Sequence, residues 1–264
     1  MKQISRSILF CFVFTGLFVA LSISKNLFEA GSERLAHGLL GTLAGLIATA
    51  IFLKIDRKRF KDIGLTFERK TLVRFVNGIF LGIILMGLLA CSVIYFTGVS
   101  VSANPQINWM HFIMMAIPLI PLAFMEELGF RAYPLENIKT KYGVRVALLI
   151  TSVLFALYHV ANGWTITSSF MGPAIWGLVF GLAAIYSKGI AMPTGIHFAA
   201  NLTTSAFGQD NNAAKIWILE QPVLAPTTRM IDLTVVLPAL ALLIFAVVCI
   251  EIYMRNQKRF DEAR

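Results

Sequence analysis

Long apolar blocks, separated by short polar segments, constrain this chain more than any other feature of its sequence. Blocks of about 20 residues are long enough to cross the hydrocarbon core of a bilayer as α-helices. Hydrophobic residues make up 57% of the 264 residues and charged residues 14%, whereas a soluble domain would carry about 25% charge. The sequence therefore predicts an all-α, polytopic membrane protein that forms a single integral membrane domain over residues 1–264.

Eight segments of the chain are predicted to span the membrane. They are 8–23, 36–53, 75–97, 109–130, 145–160, 171–187, 189–207 and 231–254. The first follows Lys2 and Arg6, but its apolar core is long, so we expect a retained helix rather than a cleaved signal peptide. Segment 208–230 is expected to be an external loop, with a short interfacial helix around Trp217.

The basic residues predict the orientation of these spans. With the N-terminus taken as cytoplasmic, the external segments hold only four of the 23 Lys and Arg residues, namely Lys25, Arg34, Lys215 and Arg229. Basic residues favour the cytoplasmic side of a membrane, so both termini and the basic segment 54–74 are predicted to be cytoplasmic. The net charge of +9 is explained by this topology, and no nucleic-acid partner is expected.

Two adjacent glutamates interrupt the fourth apolar block. A charge near the bilayer centre costs about 2.5–3.5 kcal/mol, so an intramembrane acid indicates a function. Glu127 and Arg131 are four residues apart, which favours a supporting ion pair on one helix face. Glu126 projects about 100° away from Glu127 and has no partner on its own helix. Glu126 is therefore the candidate for chemistry.

Three further polar residues lie within predicted spans, namely His159, His197 and Asn201. Phe155 lies four residues before His159 and can support its ring, and His197 and Asn201 share a helix face. An isolated intramembrane His or Asn usually joins helices by a hydrogen bond worth about 1 kcal/mol. The combination with an unpaired glutamate instead favours a functional site.

A carboxylate, two imidazoles and an amide can together hydrolyse an amide bond. Glu126 would act as general base on a water molecule, and His159 would orient that water and later protonate the leaving amine. His197 and Asn201 would donate hydrogen bonds to the tetrahedral oxyanion. No Ser or Cys lies in a recognisable nucleophile motif, and neither a metal nor a cofactor is expected.

Three short motifs carry a resemblance to a known family. They are Glu126-Glu127-x-x-x-Arg131, Phe155-x-x-x-His159 and His197-x-x-x-Asn201. In this order they resemble the CPBP family, the CAAX-protease and bacteriocin-processing intramembrane glutamic endopeptidases, also called the Abi family.

This resemblance implies an eight-helix core, with the motifs over about 109–207 and a site that opens to the cytoplasm. It implies water activation by Glu126 and His159, an oxyanion pair of His197 and Asn201, and a type II CAAX prenyl endopeptidase-like activity. The substrate would be a membrane-associated protein or peptide, lipidated in the prenylated CaaX case. The compact size and short loops favour a bacterial cell membrane.

Three alternatives remain open from the residues. Glu126, His159 and His197 form a set that zinc accepts, which would make the chain a zinc-dependent membrane protease. The same residues could relay protons in a transporter, although no pseudo-symmetric halves are visible. The chain could also be a non-catalytic membrane immunity or scaffold protein that keeps the fold.

Overall fold

Helices form almost all of the computed structural model, which describes residues 2–28, 32–208, 215–220 and 228–262. The described α-helices are α1 (Lys2–Ser22), α2 (Glu33–Ile55), α3 (Arg69–Thr97), α4 (Trp109–Ala116), α5 (Leu119–Glu127), α6 (Tyr133–Ala161), α7 (Ile166–Met171), α8 (Pro173–Ser187), α9 (Ala191–Ala206) and α10 (Thr228–Glu262). Short 3-10 turns span Ile23–Leu27 and Phe60–Ile63, and a π-helical turn spans Leu128–Ala132. This architecture confirms the all-α membrane fold.

Six helical segments of the described chain are long and apolar enough to cross a membrane. They are Lys2–Lys25, Glu33–Ile55, Arg69–Thr97, Trp109–Ala161, Ile166–Ser187 and Val236–Arg259. The predicted spans 109–130 and 145–160 share one 53-residue segment, and the predicted span 189–207 corresponds to α9, which has only 16 residues. The predicted count of eight spans therefore stays a prediction.

The segment that carries the glutamates is bent at two places. Pro118 lacks an N–H group and separates α4 from α5, so the predicted helix over 109–130 is not continuous. Within α6, Gly143 has φ 80° and ψ 175°, a left-handed backbone that glycine adopts without a steric cost. Gly143 lies at the turn expected near residues 140–143, and the chain reverses there into Val144–Ala161.

The described part of segment 208–230 contains a strand where an interfacial helix was expected. Strand β2 (Trp217–Glu220) pairs antiparallel with β1 (Ser100–Ala103), and Val101 lies opposite Leu219. The backbone of Asn104 continues the pairing by donating to the Ile216 carbonyl at 2.8 Å. The helix around Trp217 is therefore wrong, because pairing with β1 satisfies the backbone groups that a helix would have satisfied internally.

Helix α9 is held against α3 at backbone-contact distance. A Cβ on Gly195 would overlap the carbonyl oxygen of Phe75, and a Cβ on Gly78 would overlap the carbonyl oxygen of Met192. Because the obstructing atoms belong to the backbone, a larger residue at either glycine would have to push the helices apart. This contact fixes the position of α9, the helix that carries His197 and Asn201.

The remaining helices place the buried core around α5. Helix α2 packs along α5, α1 packs against α2 and α6, and α6 packs against α8. Large buried side chains at the centre include Met125, Leu128, Phe130 and Phe155, all at most 1% exposed. Outward-facing side chains on α3, such as Phe80, are apolar and exposed, as expected for a surface that contacts lipid.

Candidate active site

The two glutamates lie at the end of α5, immediately before the π-helical turn Leu128–Ala132. A π-helical turn inside a helical segment is rare and often marks a functional site. The side chain of Glu127 is completely buried, whereas that of Glu126 is 15% exposed. The two neighbouring carboxylates therefore occupy different environments, and only Glu126 has access to a substrate or to water.

Arg131 lies in the π-helical turn and faces Glu127. Its Nε atom is 3.5 Å from Glu127 Oε2, and both side chains are fully buried. The guanidinium carbon is 4.1 Å from the centre of the Phe155 ring, which adds a cation–π contact. Gly177 leaves room for the guanidinium, since a Cβ there would come within 3.1 Å of Arg131 Nη2. None of the Arg131 nitrogens forms a hydrogen bond with the described residues. The positive charge of Arg131 is therefore balanced by the Glu127 carboxylate and by the Phe155 ring.

His197 lies between the two glutamates. Its Nδ1 atom is 2.8 Å from Glu127 Oε1, and its Nε2 atom is 3.4 Å from Glu126 Oε2. The imidazole stacks on Phe180, with ring centres 4.5 Å apart and an interplanar angle of 15°. The sequence paired Glu127 with Arg131 alone and placed Glu126 with His159 as the water-activating residues, so both contacts to His197 were missed. The sequence analysis also missed Phe180 as a contact of His197. The sequence signal for this residue was its position four residues after Trp176 on the same apolar helix.

The contacts of His197 constrain where its protons lie. Glu127, paired with Arg131, acts as a carboxylate and only accepts hydrogen bonds, so Nδ1 of His197 carries a proton. Nε2 is the second nitrogen of the ring and lies 3.4 Å from the Glu126 Oε2 atom.

His159 is fixed by its own helix. Its Nδ1 atom is 2.9 Å from the Phe155 carbonyl oxygen, which can only accept a hydrogen bond. Nδ1 therefore carries the proton, and in the neutral ring Nε2 is left with a lone pair. The Phe155 ring contacts the imidazole edge-on at 4.6 Å between ring centres, and Trp164 covers it at 5.1 Å. The spacing of Phe155 and His159 predicted the contact between the two rings, but it did not predict the hydrogen bond from His159 to the Phe155 carbonyl oxygen.

Phe155 connects the two histidines. Its ring centre is 6.1 Å from that of His197 and 4.6 Å from that of His159. Asn201 lies one turn beyond His197 on α9 and is half-buried. Within the part of the chain that the structure describes, the Asn201 side chain forms no hydrogen bond, so its amide remains available for a ligand. The structure thus assembles Glu126, Glu127, Arg131, Phe155, His159 and His197, with Asn201 adjacent.

The zinc alternative requires three ligands that converge on one point. Across residues 2–28, 32–208, 215–220 and 228–262, no group of three His, Cys, Asp or Glu side chains is arranged to hold a metal ion. The arrangement of donors therefore gives the zinc alternative no support.

Fold and site together define a polytopic helical membrane protein with a buried cluster of carboxylates and imidazoles, the functional groups of a hydrolase. Residues 107–203 match the family described as Type II CAAX prenyl endopeptidase Rce1-like, and this region contains all three motifs. Over this region the chain is similar to the CAAX-protease family, which agrees with the motifs. No curated protein matches the chain. The apolar helices and this match together indicate a membrane-embedded protease, of a type that acts on membrane-associated protein substrates.

Proposed function

We propose that the chain is an intramembrane glutamic endopeptidase in which Glu126 and His159 activate the hydrolytic water. The observation that carries the proposal is the position of His197 between the two carboxylates, with Nδ1 2.8 Å from Glu127 and Nε2 3.4 Å from Glu126. This contact gives the adjacent glutamates different roles. Glu127 is buried and holds the imidazole, whereas Glu126 is partly exposed and can exchange a proton with water.

The first step is attack of water on the scissile carbonyl carbon. Glu126 accepts a proton from the water, and the lone pair on Nε2 of His159 orients the same water molecule. The carbonyl oxygen becomes an oxyanion, which accepts hydrogen bonds from Nε2 of His197 and from the Asn201 amide. Each such donor contributes roughly 3–4 kcal/mol to transition-state stabilisation. The C–N bond then breaks, and the proton taken from water passes to the leaving amine.

Glu127 and Arg131 support this chemistry without contacting the substrate. Glu127 accepts a hydrogen bond from Nδ1 of His197 at 2.8 Å and so fixes the orientation of the imidazole. Glu127 is in turn held by the Arg131 guanidinium, 3.5 Å away. These contacts connect Arg131 through Glu127 to His197, the residue that would donate to the developing oxyanion.

We propose a membrane-associated protein or peptide as substrate, and a lipidated one in particular. The matched family is described as a prenyl endopeptidase, and the exposed apolar surfaces support a site among helices that contact lipid. A lipid-anchored chain is already held at the depth of such a site. We further propose that the site opens to the cytoplasm and that both termini lie there, as the basic residues favour.

The proposal is tested by comparing membranes from cells that carry the wild-type chain with membranes from cells that carry Glu126→Gln. Mass spectrometry of protein C-termini should detect new termini only with the wild-type chain. The purified wild-type protein should then cleave a synthetic peptide that spans the identified bond. Identical C-termini in both membranes would contradict the proposed activity. Loss of peptide cleavage with a chelator, restored by zinc, would instead support the zinc-dependent alternative.

A further inference from the structure

A second concave site lies beside the basic segment 54–74, and Glu126 does not line it. This cleft, here called the basal cleft, has a volume of about 570 Å³. It is enclosed by the 3-10 turn Phe60–Ile63, the first half of α6, the α8–α9 turn and the end of α10. Neither histidine of the candidate active site lines the basal cleft, so its contents are not explained by peptide hydrolysis.

The basal cleft is positively charged because its acids are already neutralised. Asp62 pairs with Arg59, with Nε 3.8 Å from Oδ2, and Glu136 pairs with Lys139 at 2.5 Å. Lys61 and Lys188 also line the cleft, and neither forms an ion pair with the described residues. Two exposed ammonium groups, from separate elements, are therefore left to face the cleft.

A buried cation lies at the base of the same cleft. Arg131 is only 2% exposed, and none of its three nitrogens has a hydrogen-bond acceptor among the described residues. Arg131 lines the cleft, but its side chain is 0% exposed. Its guanidinium therefore adds positive potential beneath the cleft and is not a direct contact for a ligand.

The backbone around the two lysines is held rigidly. Lys188 adopts φ 55°, a left-handed conformation that is unusual for a residue with a side chain. Gly64 and Gly189 meet backbone to backbone, and a Cβ on either would lie 2.6 Å from a carbonyl oxygen of the other segment. The turn that carries Lys61 and the turn that carries Lys188 are thus locked together, which keeps their side chains on one cleft.

The wall below the lysines is apolar. Leu135 is buried, Ile185 is buried and Val144 is half-buried, and all three line the cleft. A small hydrated anion would not use such a wall, whereas an amphiphile would place its chain against it. We propose that the basal cleft binds the phosphate group of an anionic amphiphile, with Lys61 and Lys188 as direct contacts and the apolar wall against the chain.

The test uses the full chain in a neutral detergent and three soluble probes. Dioctanoyl phosphatidic acid should bind, inorganic phosphate should bind more weakly, and dioctanoyl phosphatidylcholine should not bind. The double variant Lys61→Gln/Lys188→Gln should lose at least about tenfold in affinity for the phosphatidic acid, as expected for two lysine contacts. Lys61→Arg/Lys188→Arg should keep it. Glu126→Gln should bind like wild type, which separates this site from the proposed catalysis.

A matched control comes from a second basic cleft on the same face, which includes Lys2 and Lys58. Lys2→Gln/Lys58→Gln removes the same charge and should leave the affinity within about twofold, because the effect of bulk charge alone is screened by salt. Equal losses in the two double variants, or equal binding of phosphatidylcholine, would overturn the proposal. If inorganic phosphate binds as tightly as phosphatidic acid, the cleft binds a free anion, and the proposal that its ligand is an amphiphile is wrong.

Discussion

Replacing each glutamate of the pair by glutamine should separate catalysis from stability. In Glu127→Gln, the fully buried Arg131 loses the carboxylate 3.5 Å from its Nε atom, and the acceptor 2.8 Å from Nδ1 of His197 becomes a neutral amide oxygen. Leaving one partner of a buried pair uncompensated costs about 3–5 kcal/mol. At about 2–4 °C per kcal/mol for a chain of this size, the unfolding midpoint should fall by about 6–20 °C.

Glu126→Gln should behave in the opposite way. The Glu126 side chain is 15% exposed, and Nε2 of His197 is 3.4 Å from its Oε2 atom. The substitution should therefore lower the free energy of unfolding very little. A glutamine side chain can still accept a hydrogen bond from Nε2 of His197 and is cheaper to desolvate than a carboxylate. We expect an unfolding midpoint equal to or slightly above wild type. Without the general base, turnover should fall by at least about 10²-fold.

Both variants are measured by thermal unfolding in detergent and by cleavage of the substrate identified from membranes. Glu126→Gln that cleaves at a near wild-type rate would refute the role of Glu126 as base. Glu127→Gln with a wild-type unfolding midpoint would refute the argument that Arg131 and His197 depend on this carboxylate. Comparison of the two variants with each other controls for the general effect of removing one charge.

Three further predictions concern the supports of the site and its orientation. Arg131→Ala should lower thermal stability as well as activity, by about 3–5 kcal/mol, and selective loss of activity alone would instead indicate direct contact with substrate. Gly195→Ala should destabilise the protein by about 1–3 kcal/mol and reduce turnover, because its methyl group would overlap the α3 backbone. Gly87→Ala, with nothing within 4 Å of the new methyl group, is the matched control and should be neutral or stabilising. Reporter fusions at Lys61 and Asn212 should report opposite sides of the membrane. If both report the same side, at least one predicted span does not cross the membrane.

Hydropathy predicted the membrane fold and most helix positions because burial in lipid imposes length and composition on each helix separately. The structure differs from the hydropathy pattern where an element depends on its surroundings. Helix α9 is shorter than an ordinary span, and it lies against α3 through backbone contacts at Gly78 and Gly195. Trp217–Glu220 forms a strand because Ser100–Ala103 is available to pair with it. The residue pattern within segment 208–230 does not indicate this distant partner.

Spacing along one helix predicted contacts within that helix and little beyond it. The separation of four residues brought Glu127 to Arg131 and Phe155 to His159, and the structure has both contacts. The bond from His197 to Glu127 joins α9 to α5, so it depends on how the helices pack. The π-helical turn after Glu127 is likewise a local exception that the apolar pattern does not record.

The packing of the helices also explains why adjacent identical residues can serve different roles. Both glutamates leave α5 near the same height, so depth in the membrane cannot distinguish them. The distinction arises because Arg131 and the Phe155 ring occupy one side of α5, where they bury Glu127. The other side remains partly open, and there Glu126 faces the second nitrogen of His197. One imidazole thus connects a buried carboxylate to a partly exposed one. In the mechanism that we propose, this arrangement lets the nitrogen that faces Glu126 donate to the oxyanion without any movement of the buried charges.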